Sequence, residues 1–326
     1  MEQVTAVRTT PRAVSAAWFI GIGLVIYALL LAGSEWLVYR NGRMNPVYKA
    51  DVAAGDFDWV ILGASHAMPL DFGNFNKEMQ RRTGKKILNL AGSGTGPLYA
   101  RFAFEHFLTR HRTRNLLYVA DGFAFRAPVW NEGRFTDADL MARTPFHVSL
   151  AGLLVRYVVM GGVDPRALAD YVAGFSKLNN RGRFQLDVWE GEASFDRAFK
   201  LSPSAERKRV EYLYPPVADE RAGSERYFDV LADLIGIAER NDVTVTIVKM
   251  PLPPRFKSLL PGEATFDAAL VSLAGRQGVS LIDWSDAMPD PGFYADTDHL
   301  NRKGVMEFFG KRLQPILSGT PLPTPF

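Results

Sequence analysis

The chain opens with an apolar stretch that has no polar period. Ala13 to Ser34 carries no charge and is rich in Leu, Ile, Val, Ala and Gly. As a helix rising 1.5 Å per residue it covers roughly 33 Å, enough for a hydrocarbon core of about 30 Å. Trp18 near one end, and Trp36 and Tyr39 at the other, stand where interfacial anchors belong. A cleaved signal sequence is the rival reading, but its apolar region runs only about 7–15 residues and ends in a small-residue cleavage site. Here Glu35-Trp36-Leu37-Val38 comes next instead. The pattern predicts an uncleaved anchor over 13–38 after a short arm, 1–12, with 39–55 as a linker. Arg8 and Arg12 precede the span and Arg40, Arg43 and Lys49 come after it, so flanking charge leaves its orientation nearly tied.

Beyond residue 55 short apolar runs alternate with amphipathic ones. Trp59–Leu62, Lys86–Leu90, Asn115–Ala120, Val243–Met250 and Val279–Asp283 read as buried strands. Helices are predicted over Phe72–Arg82, Pro97–His111, Glu225–Arg240, Ala264–Arg276 and Lys303–Leu313, with Pro97 suited to a first helical turn. Strands alternating with helices imply an α/β fold, a three-layer α/β/α sandwich around a mainly parallel sheet. Residues 126–223 fit the alternation poorly. They read as a large insertion after the third strand that caps or flanks the site, inside a domain spanning 56–315. Val148–Met160 within it is apolar but too short to span a bilayer. From Pro315 the chain holds four prolines and reads as a loose tail, 316–326.

Composition adds exclusions. The 326 residues are 47% hydrophobic and 12% aromatic, which argues for a packed core. A net charge of +3, without a basic block, gives no footprint for nucleic acid. Cysteine is absent, which removes disulfides, thiol nucleophiles and thiolate metal sites.

In open α/β sheets ligands bind beyond the carboxyl ends of the strands. The segments leaving those ends here are Gly63-Ala64-Ser65-His66-Ala67, then Ala91-Gly92-Ser93-Gly94-Thr95-Gly96, then Asp121-Gly122-Phe123, and finally Asp296-Thr297-Asp298-His299. A serine hydroxyl needs a neighbouring base to become a nucleophile. His299 is the natural base, and Asp296, three residues earlier, can hold its imidazole in the working tautomer. Ser65 also suits a plain strand-to-helix cap. His66 reads as structural, with site lining as the alternative, and Asp298 as a solvated turn or cap residue. His106, His111 and His147 have no metal-ligand spacing, so neither metal nor cofactor is expected.

These blocks resemble the SGNH (GDSL-like) hydrolase superfamily, whose fold is flavodoxin-like. The resemblance lies in Gly63-Ala64-Ser65 after the first strand, Gly92 (alternatively Gly94) after the second, and Asp296 with His299 near the C-terminus. It implies Ser65, His299 and Asp296 as the catalytic set, with the N–H groups of Ser65 and Gly92 as the oxyanion hole. The third block departs from it. The family has an asparagine whose amide faces the oxyanion, whereas Ala120-Asp121-Gly122 stands here. An ionised Asp121 would repel an oxyanion, so it is expected to point away, the alternative being a protonated Asp121 lining the site. The anchor together with this body resembles membrane-anchored branches such as the proteins of D-alanyl-lipoteichoic acid biosynthesis and alginate O-acetylation. That implies a single-pass protein of the cytoplasmic membrane with its N-terminus inside and its body outside. It further implies O-acyl (acetyl) transfer to a cell-envelope polysaccharide or glycolipid, with a multispanning membrane-bound O-acyltransferase as partner. An esterase using the same residues and a non-catalytic scaffold are the alternatives. Three other motifs fail. The third glycine of a dinucleotide fingerprint would fall at Pro97, Met79 replaces the first glycine of a phosphate loop before Thr83-Gly84-Lys85, and an α/β-hydrolase elbow would not place acid and base three residues apart.

Overall fold

The computed structural model describes residues 11–319 apart from 199 and 201. Residues 1–10 of the expected N-terminal arm and residues 320–326 of the expected tail lie outside the described residues. Five strands form one sheet: β1 (Phe57–Leu62), β2 (Ile87–Asn89), β3 (Thr113–Val119), β4 (Thr244–Lys249) and β5 (Ser280–Asp283). Their order is β2-β1-β3-β4-β5 and every pair is parallel. The connection direction therefore reverses between β1 and β3, and a crevice opens beyond their carboxyl ends.

The helices in chain order are α1 (Pro11–Asn41), α2 (Pro46–Val52), α3 (Phe75–Thr83) and α4 (Pro97–Leu108). After β3 come α5 (Ala138–Ala142), α6 (Val148–Met160), α7 (Pro165–Ala173), α8 (Phe175–Asn179), α9 (Glu190–Ala193) and α10 (Pro203–Leu213). The rest are α11 (Glu220–Glu239), α12 (Pro254–Lys257), α13 (Glu263–Gln277), α14 (Arg302–Phe308) and α15 (Gln314–Ser318).

Successive strand side chains point to opposite faces, and the core divides accordingly. Val60, Leu62, Leu116, Tyr118, Val245 and Ile247 pack under α4, α11 and α13. Trp59, Ile61, Leu117, Val119 and Val248 pack under α3, α14 and α15. The insertion builds a third cluster against α2 and α4, in which Leu150, Leu154, Tyr157 and Tyr171 meet Val47, Leu98, Tyr99 and Phe102. It flanks the sandwich as a helical subdomain.

α1 includes a stretch, from Val14 onward, long and apolar enough to cross a membrane, and none of its most apolar window is buried against the body. Two expectations need correcting. The linker 39–55 holds α2, which Asn45 caps by accepting the Tyr48 N–H and whose Val47 and Ala50 are buried. The loose tail begins later than Pro315. That proline lies in α15, which continues directly from a π turn over Phe309–Leu313, and Leu317 is buried with its carbonyl accepting the Trp59 indole N–H at 3.0 Å.

Candidate active site

The turn after β1 is set by Gly63. Its φ is +142°, and a Cβ there would lie 2.7 Å from the Val119 carbonyl oxygen on β3, so only glycine lets the two strand ends come this close. Two residues on, Ser65 opens a 3₁₀ turn, Ser65–Leu70. The first N–H groups of such a turn have no partner inside it.

The partner loop lies between Tyr294 and Leu300, which pair across it as an antiparallel bridge. Asp296 Oδ1 accepts the N–H groups of Asp298 (3.0 Å) and His299 (2.8 Å), folding the loop around its own carboxylate. Asn301 caps α14 by accepting the Gly304 N–H at 2.9 Å, while its amide donates to the carbonyls of Gly292 and Tyr294. Gly304 has no room for a side chain against the Phe293 carbonyl, which draws α14 close beneath the loop.

These two turns bring three expected residues together. Ser65 Oγ donates to His299 Nε2 at 2.9 Å, and His299 Nδ1–H donates to Asp296, 2.9 Å from each oxygen. Serine and histidine are each 3% exposed. Burial would raise the Asp296 carboxyl, but the His299 ring against it holds it below the ordinary value. The Trp189 indole stands edge-on to His299, ring centres 4.9 Å apart, and roofs it from the insertion.

A second row of charge runs beside the first. His66 donates from Nδ1 to Asp121 Oδ1 at 2.6 Å and from Nε2 to Asp298 Oδ2 at 3.1 Å. Arg209 on α10 closes the row on Asp298, with Nε and Nη2 at 3.0 and 2.9 Å from Oδ2. Burial alone would lower the His66 pKa, but the two carboxylates outweigh it and raise it to about 10. Asp298 is held well below the carboxylate range: desolvation opposes this, and His299, Arg209 and His66 overcome it. The His66 and His299 rings are 5.0 Å apart, and Asp298 Oδ1 reaches within 3.5 Å of His299 Nδ1. At neutral pH an imidazolium thus sits between two carboxylates next to the serine.

This row corrects three expectations. Asp298 is 1% exposed and fully paired, not a solvated turn residue. Asp121 does not point away: its Oδ1 accepts the His66 Nδ1–H, and it lines a small cavity beside that ring. Gly92 does not present its N–H to the serine, because that group donates to the Gly63 carbonyl at 3.2 Å and ties the glycine loop to the nucleophile turn. Gly94, in the left-handed region one step further along the loop, is the alternative carried over from the sequence. His66, Asp298 and His299 also place ligand atoms within 4.8 Å of one another, a spacing a metal could use. The Arg209 guanidinium on Asp298 and the carboxylate on each His66 nitrogen already satisfy that cluster by ion pairing.

Arg209 and Trp189 were not foreseen. Both come from the insertion, about 90 and 110 residues before the histidine they serve, and no local motif marks them.

No protein-family model matches the chain, and no curated protein matches it in sequence. Among solved structures, an inferred acylhydrolase from Bacteroides fragilis is similar at a TM-score of 0.43 and 10% identity, over 86% of this chain and 97% of its own. A GDSL-like lipase from Bacteroides thetaiotaomicron is similar at 0.38 and 10% identity, over 88% and 98%. Both differ from this chain at nine aligned residues in ten, so the chemistry rests on this chain's own side chains.

Proposed function

We propose that this chain is a membrane-anchored O-acyltransferase of the SGNH type. It passes an acyl group, acetyl by preference, to a hydroxyl of a cell-envelope polysaccharide or glycolipid outside the cytoplasmic membrane. The observation that carries the reading is the unbroken relay Ser65–His299–Asp296, with both links at 2.9 Å.

In this scheme Ser65 Oγ attacks the donor's acyl carbonyl while its proton passes to His299 Nε2, and Asp296 stabilises the imidazolium that forms. The tetrahedral oxyanion is held by the Ser65 N–H, with Gly94 as the second donor in the adjoining loop. Collapse breaks the bond to the leaving group, which takes the proton from His299, and leaves acyl-Ser65. A sugar hydroxyl then gives its proton to His299 and attacks the acyl carbonyl, and Ser65 recovers its proton as the new ester departs. Ser65 is almost fully buried and the Trp189 indole packs on His299, a setting that the transferase and the esterase readings share. The apolar α1 supports membrane attachment. Acyl carriers are cytoplasmic, which calls for a multispanning acyltransferase to deliver the group.

The test uses full-length protein, a small acetyl ester and a polysaccharide acceptor, with acetyl-Ser65 read by intact mass. Ser65→Ala is expected to lose acetyl transfer by several orders of magnitude while keeping its unfolding transition. Unchanged transfer in that variant sinks the catalytic reading and promotes the scaffold. Free acetate with no acetylated acceptor would convert the transferase into an esterase.

A further inference from the structure

We propose that the corner between α7 and α8, Val172–Phe175, is embedded in the acyl-chain region of the lipid bilayer beside α1, giving the body a second hold on the membrane. This rests on α1 spanning the bilayer, a premise the closing experiment tests separately.

Charge on α1 marks the depth. Glu35 is the first charge after the apolar stretch of that helix. It is neutralised by the buried ammonium of Lys177 on α8 and accepts the Phe146 N–H at 3.2 Å. The corner meets α1 further into the apolar stretch. Tyr27 Oη donates to the Ala173 carbonyl at 2.6 Å, and Gly174 packs directly on the Leu31 side chain. Leu31 and Tyr27 are four and eight residues before Glu35, so at 1.5 Å per residue the corner reaches about 6–12 Å beyond that charge toward the membrane's interior. Interfacial segments bury to about 5–10 Å.

The corner's chemistry suits that depth. Val172 and Phe175 are 51% and 62% exposed, apolar groups turned outward with nothing among the described residues covering them. Several of its backbone groups are closed internally, which eases burial in lipid. Tyr27 takes the terminal carbonyl of Ala173, the Gly174 N–H donates to the Asp170 carbonyl at 2.7 Å, and the Ser176 N–H donates to the Asp170 carboxylate at 2.7 Å.

Because the chain has no cysteine, single cysteines can report depth directly. Full-length Val172→Cys and Phe175→Cys, each carrying a nitroxide, are reconstituted in 3:1 phosphatidylethanolamine:phosphatidylglycerol vesicles and probed with oxygen and a water-soluble nickel chelate. Leu24→Cys on α1 serves as the bilayer reference and Val271→Cys on α13 as the aqueous one. The expected result is that labels at 172 and 175 behave like the one at 24, being relaxed by oxygen and at least several-fold protected from nickel relative to 271. If 24 is lipid-exposed while 172 and 175 match 271, the corner is not embedded although the anchor stands. Aqueous behaviour at 24 as well would overturn the anchor itself, and this proposal with it.

Discussion

Two histidines stand side by side in this site, and their partners assign them opposite tasks. His299 is hydrogen-bonded to one carboxylate, Asp296, and to the serine hydroxyl, which leaves Nε2 placed to take a proton and return it. His66 is clamped on both nitrogens by carboxylates, so its proton is fixed through the neutral range. That sets the sign of its contribution to stability. Its folded pKa, about 10, lies above the ordinary 6.5, so the contribution is whole below about pH 6.5 and is lost as pH rises through 10. Asp298 acts in the opposite sense: held low, it stabilises above the ordinary carboxylate range and gives way in acid. The wild-type His66 Cε1–H resonance should therefore titrate only near pH 10. In Asp121→Asn the midpoint should fall by about 1–3 units with the loss of one opposite charge. An unmoved midpoint would remove Asp121 as the cause. The same substitution should bring no gain in ester turnover, since this side chain is committed to His66.

Legibility divides by sequence distance. Ser65, Asp296 and His299 are readable because each stands in a short local motif, Ser65 directly after β1 and the Asp296/His299 pair in the loop before α14. The His66 row was not, because its links join residues 55, 232 and 89 positions apart and no local pattern records them. Asp298 shows the difference sharply. It is the residue before His299, where local sequence suggests only a turn, and its ion pair is supplied by Arg209 from the insertion.

Among the elements, the strands were the most legible, because four- to eight-residue apolar runs between helices leave little choice. The insertion was the least, because its helices are short and interrupted by Gly161-Gly162, Pro165 and Gly174. Yet it ties the anchor to the site. Asp187 accepts the N–H groups of Met44 and Asn45 (2.8 and 2.9 Å) where α1 ends, and Trp189, two residues on, lies over His299. Trp189→Ala removes the indole packed on His299 while leaving every hydrogen-bonding group of the relay in place. Hydrolysis of acetyl-Ser65, tracked by intact mass over time, is expected to quicken by about tenfold, equivalent to about 1.4 kcal/mol of barrier. An unchanged rate means the indole does not exclude water.

At the scale of the whole molecule, placing the body outside the cytoplasmic membrane is the claim most open to direct measurement. A phosphatase reporter joined after Phe326 should be active only when exported, and protease added to spheroplasts should remove the body and spare α1. A protected body would place the chemistry in the cytoplasm and end the polymer-acylation reading.

The tie between Trp59 and the Leu317 carbonyl carries a consequence for synthesis. It joins β1 to α15, the first strand and the last helix among the described residues, across 258 residues. Ser65 likewise waits 234 residues for His299. Contacts this distant form late, because the intervening chain must be ordered before they are rewarded. In the proposed scheme, a nascent chain emerging from a translocon carries a mute serine, which becomes able to react only once α15 has sealed β1.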